Sequence, residues 1–140
     1  MSTVPVSMRV EDTLWEDLRQ RASLQLVTVT AYVQSLITEG LRMRDVPGIV
    51  FRDGPTGRRA ALVDGPDVWE IVTALRMAES DGEGAVGEVA ADLCLPVSSV
   101  ETALSYYSRF PDEVDERIAL VERDADIARA AWEKRQSVLS

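Results

Sequence analysis

Few side chains in this 140-residue sequence belong to the usual equipment of catalysis, and the omissions are informative. There is no histidine, which excludes imidazole-based triads, acid–base histidines and most transition-metal sites. Cys94 is the single cysteine, so neither an internal disulfide nor a four-thiolate zinc site can form. Four carboxylates crowd together at Asp112, Glu113, Asp115 and Glu116. In principle such a cluster holds magnesium, but Pro111 before it is a favoured first helical residue, and the helix dipole accounts for acids there. We expect no enzyme, no cofactor and no metal. The chemistry left is recognition by arginine, whose planar fork matches paired acceptors on phosphates and base edges.

The net charge of −9 opposes contact with a polyanion, but it is unevenly spread. Through Arg44, five arginines (Arg9, Arg19, Arg21, Arg42, Arg44) balance five acids (Glu11, Asp12, Glu16, Asp17, Glu39). The rest carries 10 basic and 19 acidic residues, so all of the −9 lies after Arg44. A neutral head precedes an acidic body. No apolar run has the length of a membrane span, and the first residues lack the basic-then-apolar layout of a signal peptide. The expectation is a cytoplasmic protein with no membrane association.

The elements that must position these residues follow from periodicity. Val4-Pro5-Val6-Ser7-Met8-Arg9-Val10 alternates with period two, which predicts a strand. Thr13-Leu14-Trp15-Glu16 has the form of a capping box, and Leu14, Leu18 and Ala22 follow at helical spacing. Thr28 and Thr30 can open a second helix, with Val33, Leu36, Ile37 and Leu41 inward and an end near Gly40 to Arg44. Ile49 to Arg52 and Arg58 to Val63 predict a hairpin about the turn-rich Asp53-Gly54-Pro55-Thr56-Gly57. Asp67 can cap a helix through Val68, Trp69, Ile71, Val72 and Leu75. Two more helices, Ala85 to Leu93 and Ser98 or Ser99 to Phe110, flank Cys94-Leu95-Pro96. From Pro111 a last helix places Val114, Ile118, Val121, Ala125, Ala128 and Trp132 at alternating steps of four and three, a heptad seam. The fold expected is mainly α with short β, in three parts: 1–44, 45–110 and 111–140.

A lone strand leaves backbone groups unpaired, and a piece of about 45 residues struggles to bury a core. Two copies pairing across a two-fold axis solve both problems. Val6, Met8 and Val10 would then face the helices, while Pro5, Ser7 and Arg9 face outward on a ribbon that fits the major groove of DNA. On these elements Val6 to Leu41 resembles the ribbon-helix-helix family, to which Arc and MetJ belong. The resemblance implies a homodimer on an operator in double-stranded DNA, with base contact by Ser7 and Arg9 and Pro5 outermost. It also implies phosphate contact at the start of the second helix, at Thr28, Val29 and Thr30, in keeping with anion binding at helix N-termini. The chain departs from the family at Leu26, where the turn usually carries glycine, and at Pro5, which replaces a polar or basic side chain.

Pro47 to Ile118 resembles a small winged-helix-like domain of uncharacterised function, often found in antitoxins paired with PIN-type ribonuclease toxins. The resemblance rests on Gly57-Arg58-Arg59, where the family usually has Gly-Thr-Arg, on Asp67-Val68-Trp69-Glu70-Ile71-Val72, and on Val100-Glu101-Thr102-Ala103-Leu104-Ser105-Tyr106-Tyr107 running into Phe110-Pro111-Asp112-Glu113-Val114-Asp115. The resemblance implies a protein toxin as partner. The helix of its second helix-turn-helix offers Ser98, Ser99, Glu101, Thr102, Ser105 and Arg109, a poor phosphate footprint, so protein contact is expected of the body. Arg58 and Arg59 read as solvated turn arginines, Tyr106 and Tyr107 as core and rim. The heptad seam either packs on its own domain or offers Val114, Ile118, Val121 and Trp132 to a partner's groove or a second dimer contact. The function expected is a repressor and antitoxin. A stand-alone transcription factor whose body senses a ligand or protein, and an assembly adaptor that binds no DNA, are the alternatives.

Overall fold

The computed structural model describes residues 2–54 and 57–140, and it divides into two compact units, one ending at Leu41 and the other beginning at Arg42. Among the described residues the protein is mainly helical, with six helices and one small antiparallel sheet. No described helix is long and apolar enough to cross a membrane.

The first unit holds α1 (Asp12–Leu24) and most of α2 (Val29–Asp45), whose last turn lies beyond the boundary. The expected capping box at Thr13 does not form, because α1 begins two residues earlier, with Glu11 in the capping position, and the Asp12 carboxylate takes the Thr13 amide at 2.8 Å. Between the helices runs a Schellman turn. The Val27 amide donates to the Ala22 carbonyl and the Leu26 amide to the Ser23 carbonyl, both at 3.1 Å. Leu26 consequently has φ +58°, a left-handed conformation that costs a branched residue about 1–2 kcal/mol. Thr28 starts α2 as expected, its hydroxyl accepting the Ala31 amide at 3.1 Å. Ala22 is the one buried hydrophobic residue described in this unit.

The second unit has a core of its own. Strands β1 (Ile49–Arg52) and β2 (Arg59–Leu62) pair antiparallel, Ile49 with Leu62 and Arg52 with Arg59; Arg58 and Val63, expected in the second strand, fall outside it. The hairpin is followed by α3 (Val68–Met77), α4 (Glu83–Asp92), α5 (Val97–Arg109) and α6 (Pro111–Leu139). Helix α5 is central, touching α3, α4, α6 and both strands, with Val100, Ala103 and Tyr106 wholly buried. Around it close Ile49, Leu62, Val68, Ile71, Val72, Val86 and Val89. The turn after α4 is a second Schellman motif, with Leu95 donating to Ala90 at 2.8 Å, Cys94 donating to Ala91 at 3.2 Å and Cys94 at φ +54°.

Polar ties fix the corners of this unit. Buried Asp67 pairs with Arg59 and accepts the Trp69 indole N–H at 3.1 Å, while Glu70 reaches back to the Asp67 amide at 2.8 Å. Arg59 is therefore a core ion-pair residue rather than a solvated turn arginine. The Arg52 guanidinium donates to the carbonyls of Leu62, Val63 and Gly65 at 2.8–3.0 Å and so closes the loop after β2. At the α5–α6 junction consecutive tyrosines each bond a carboxylate on α6. Tyr106 donates to Glu113 at 2.9 Å, and Arg42 pairs with the same carboxylate while lying 4.5 Å from the centre of the Phe110 ring. Tyr107 donates to Asp115 at 3.0 Å, and Arg76 pairs with that carboxylate at 2.7 Å.

Candidate nucleic-acid interface

Residues 2–10 take part in no backbone hydrogen bond among the described residues, so the predicted strand has no ladder within one chain. The physical reason is that the described residues of this unit form no second strand, and a strand exists only by pairing. Pro5, Ser7 and Arg9 are exposed, and so are the apolar residues between them, Val6 at 75 %, Met8 at 67 % and Val10 at 40 %. Those values decide that neither side of the segment is covered by its own chain. Leu14, Leu36, Ile37 and Leu41, read as inward-facing, are likewise exposed, while Leu18 and Val33 are half-buried. The helices thus present apolar faces with no core beneath them.

Charge in this unit is less favourable than the sequence suggested. The boundary assigns Arg42 and Arg44 to the second unit, and Arg42 is held by Glu113. Three arginines, Arg9, Arg19 and Arg21, then stand against five acids, a net charge of −2 for residues 1–41. Arg19 pairs with Glu16 at 3.5 Å and Arg21 with Asp17 at 2.8 Å, both along α1. The hydrogen bond to Asp17 raises the Arg21 pKa above its usual value and keeps that guanidinium engaged. Arg9 alone of the three has no ion pair among the described residues. It is exposed and sits one residue from Met8 and Val10, so its side chain is available without disturbing any core.

At the start of α2 the Thr28 hydroxyl uses the Ala31 amide, which leaves the amides of Val29 and Thr30 without a partner among the described residues. Thr28 and Thr30 are exposed and Val29 is half-buried. Two free amides and a hydroxyl at a helix start can receive a phosphate oxygen. Both ends of the expected interface are thus exposed, and they belong to the same unit.

No protein-family model matches the chain, and neither the curated proteins nor the solved structures contain a match to it. Function must be read from the residues themselves.

The second unit divides the residues expected to meet a partner. Val114 and Ile118 are buried against α3 and α5 and serve their own core, so they are not available to a partner. Val121 is half-buried, and Trp132 is exposed. Of the acidic cluster, Glu113 and Asp115 are engaged by tyrosine and arginine, and no group of three metal-binding side chains is assembled among the described residues. The arginine partners Arg42, Arg59 and Arg76 were not singled out as structural by the sequence. A usable signal was present in Tyr106 and Tyr107, each followed by a carboxylate seven or eight residues on, the reach of a helix start folded back on the end of the helix before it.

Proposed function

We propose that this chain is a homodimeric DNA-binding regulator of the ribbon-helix-helix type, with an acidic second unit that binds a protein partner. The observation that carries the reading is the missing core of the first unit. Among the described residues, two amphipathic helices and an alternating apolar segment bury a single hydrophobic residue, Ala22, and the segment has no strand to pair with. A second copy supplies both needs at once, pairing strand with strand and face with face, and leaves Pro5, Ser7 and Arg9 on the outer side of the ribbon. Arg9 of each copy would then read base edges, while the amides of Val29 and Thr30 with Thr28 hold flanking phosphates. The resemblance of Pro47 to Ile118 to domains of antitoxins extends the proposal to repression of an operon and neutralisation of a ribonuclease toxin.

The test begins with sedimentation of the whole chain, where a dimer is expected at micromolar concentration. Selection from random duplexes then supplies a binding sequence, and Arg9→Ala should weaken that binding by about 1–3 kcal/mol per lost guanidinium while leaving the dimer intact. A folded monomer, or a dimer that enriches no sequence even at low salt, removes the DNA-binding reading. Copurification of a ribonuclease from the native cell tests the second half. The net charge of −2 on residues 1–41 favours one other reading, an assembly adaptor whose ribbon only dimerises. Full dimerisation with no retardation of any duplex is the result that selects it.

A further inference from the structure

From Glu122 to Ser140 every residue of the chain is exposed, so α6 continues for about five turns, roughly 27 Å, beyond the last side chain it packs on its own unit. Most helical stability in proteins comes from packing of an amphipathic face, and none of these residues is covered by its own chain. The stretch is not uniformly polar. Val121, Ala125, Ala128, Trp132 and Leu139 continue the line of Val114 and Ile118, with Arg135 completing the spacing, and Trp132 and Leu139 are 60 % and 69 % exposed. We infer that this face is covered by the same face of a second copy of the chain, lying antiparallel to it.

The order of side chains selects both the occupant and its direction. In parallel register Arg135 would meet Arg135 and Trp132 would meet Trp132, with two alanine layers left as gaps between Val121 and the tryptophan. Antiparallel, about a centre near Ala130, each bulky residue meets a small or complementary one. Trp132 lies across from Ala128 of the second copy and Leu139 from Val121. The Arg135 stem covers Ala125. Arg129 comes opposite Arg129, but each is already paired with Asp126 at 3.3 Å on its own helix. The inference rests on the dimeric reading only for the second copy, which a paired first unit would hold at high local concentration.

Cysteine cross-linking of the full chain in a Cys94→Ser background tests it. Ala131 and Gln136 flank the face on opposite sides. In the antiparallel pair Ala131 lies beside Ala131 of the other copy, whereas Gln136 lies beside Glu122. Ala131→Cys should convert most of the protein to a covalent dimer under mild oxidation, Gln136→Cys should not, and adding Trp132→Glu to Ala131→Cys should abolish the cross-link. Sedimentation of the reduced proteins separates the two readings. A dimer in which Ala131→Cys fails to cross-link overturns the pairing of α6 and leaves the dimeric first unit standing, as does retention of the cross-link in the Trp132→Glu variant. Equal cross-linking through Gln136→Cys overturns the antiparallel arrangement, and a monomer overturns both readings.

Discussion

Two residues, Leu26 and Cys94, occupy the left-handed position of a Schellman turn that glycine fills without strain. Both are exposed, so neither is held there by burial of its side chain. Leu26→Gly and Cys94→Gly should each stabilise the protein by about 1 kcal/mol in urea unfolding, because relief of the left-handed strain exceeds the added freedom of the unfolded chain. An unchanged midpoint for Cys94→Gly would show that the turn has relaxed around the side chain. Leu26 was legible as a departure from the glycine that the ribbon-helix-helix resemblance implies. What the residue type could not show is that the backbone keeps the glycine conformation regardless. Arg59 illustrates the converse. Its place beside Gly57 and Arg58 in a turn-rich stretch suggested solvation, and only the approach of the α3 start brings Asp67 to it.

At the scale of elements, the α5–α6 corner is held by two tyrosine–carboxylate–arginine sets, and its response to pH follows from them. Burial, and then the Glu113 carboxylate, raise the Tyr106 pKa well above its ordinary 10.0. The stability this contributes is present below pH 10 and lost as pH rises through the folded value. Tyr106→Phe should therefore cost about 1–2 kcal/mol at neutral pH and remove that part of the alkaline decline, both read from denaturation midpoints across pH. Asp115 shifts the other way. The hydrogen bond from Arg76 holds its carboxyl below the ordinary carboxylate value, so its contribution is present above that value and disappears as pH falls through the folded one. Asp115→Asn should flatten the acid limb of the same curve, and an acid limb identical to that of the unaltered protein would remove Asp115 from the corner. Periodicity located every one of the six helices, since helix starts at Thr28, Asp67 and Pro111 carry their own local signals. It did not locate what covers them. The heptad line of α6 is continuous from Val114 to Trp132, yet its first two members are core, Val121 is half-buried and the later ones are exposed, a change that nothing in the line itself marks.

For the whole molecule, the division at Leu41 separates a unit without a core from one that has a complete core. Folding of the first unit should accordingly depend on protein concentration, and folding of the core from Val46 to Ile118 should not, so that dilution lowers one calorimetric transition and leaves the other in place. Charge sets the character of any DNA complex. With one arginine of each first unit outside an ion pair among the described residues, and a net −9 overall, few phosphates can be neutralised. The logarithm of affinity should fall with the logarithm of salt with a slope of about −2 to −4, shallow for a dimer, and a slope near −8 would mean that basic residues of the second unit also reach the backbone. Exposure of the distal part of α6 bears, finally, on how long the protein lasts. A helix with nothing packed on it opens without the rest unfolding, and a protease needs only that local opening. Within α6 trypsin should cut after Arg123, Arg129, Lys134 and Arg135, and faster as the protein is diluted, long before the core from Val46 to Ile118 is breached. Turnover would then be governed by occupancy of one helix: a covered chain persists, and an uncovered one is marked for removal by its own fold.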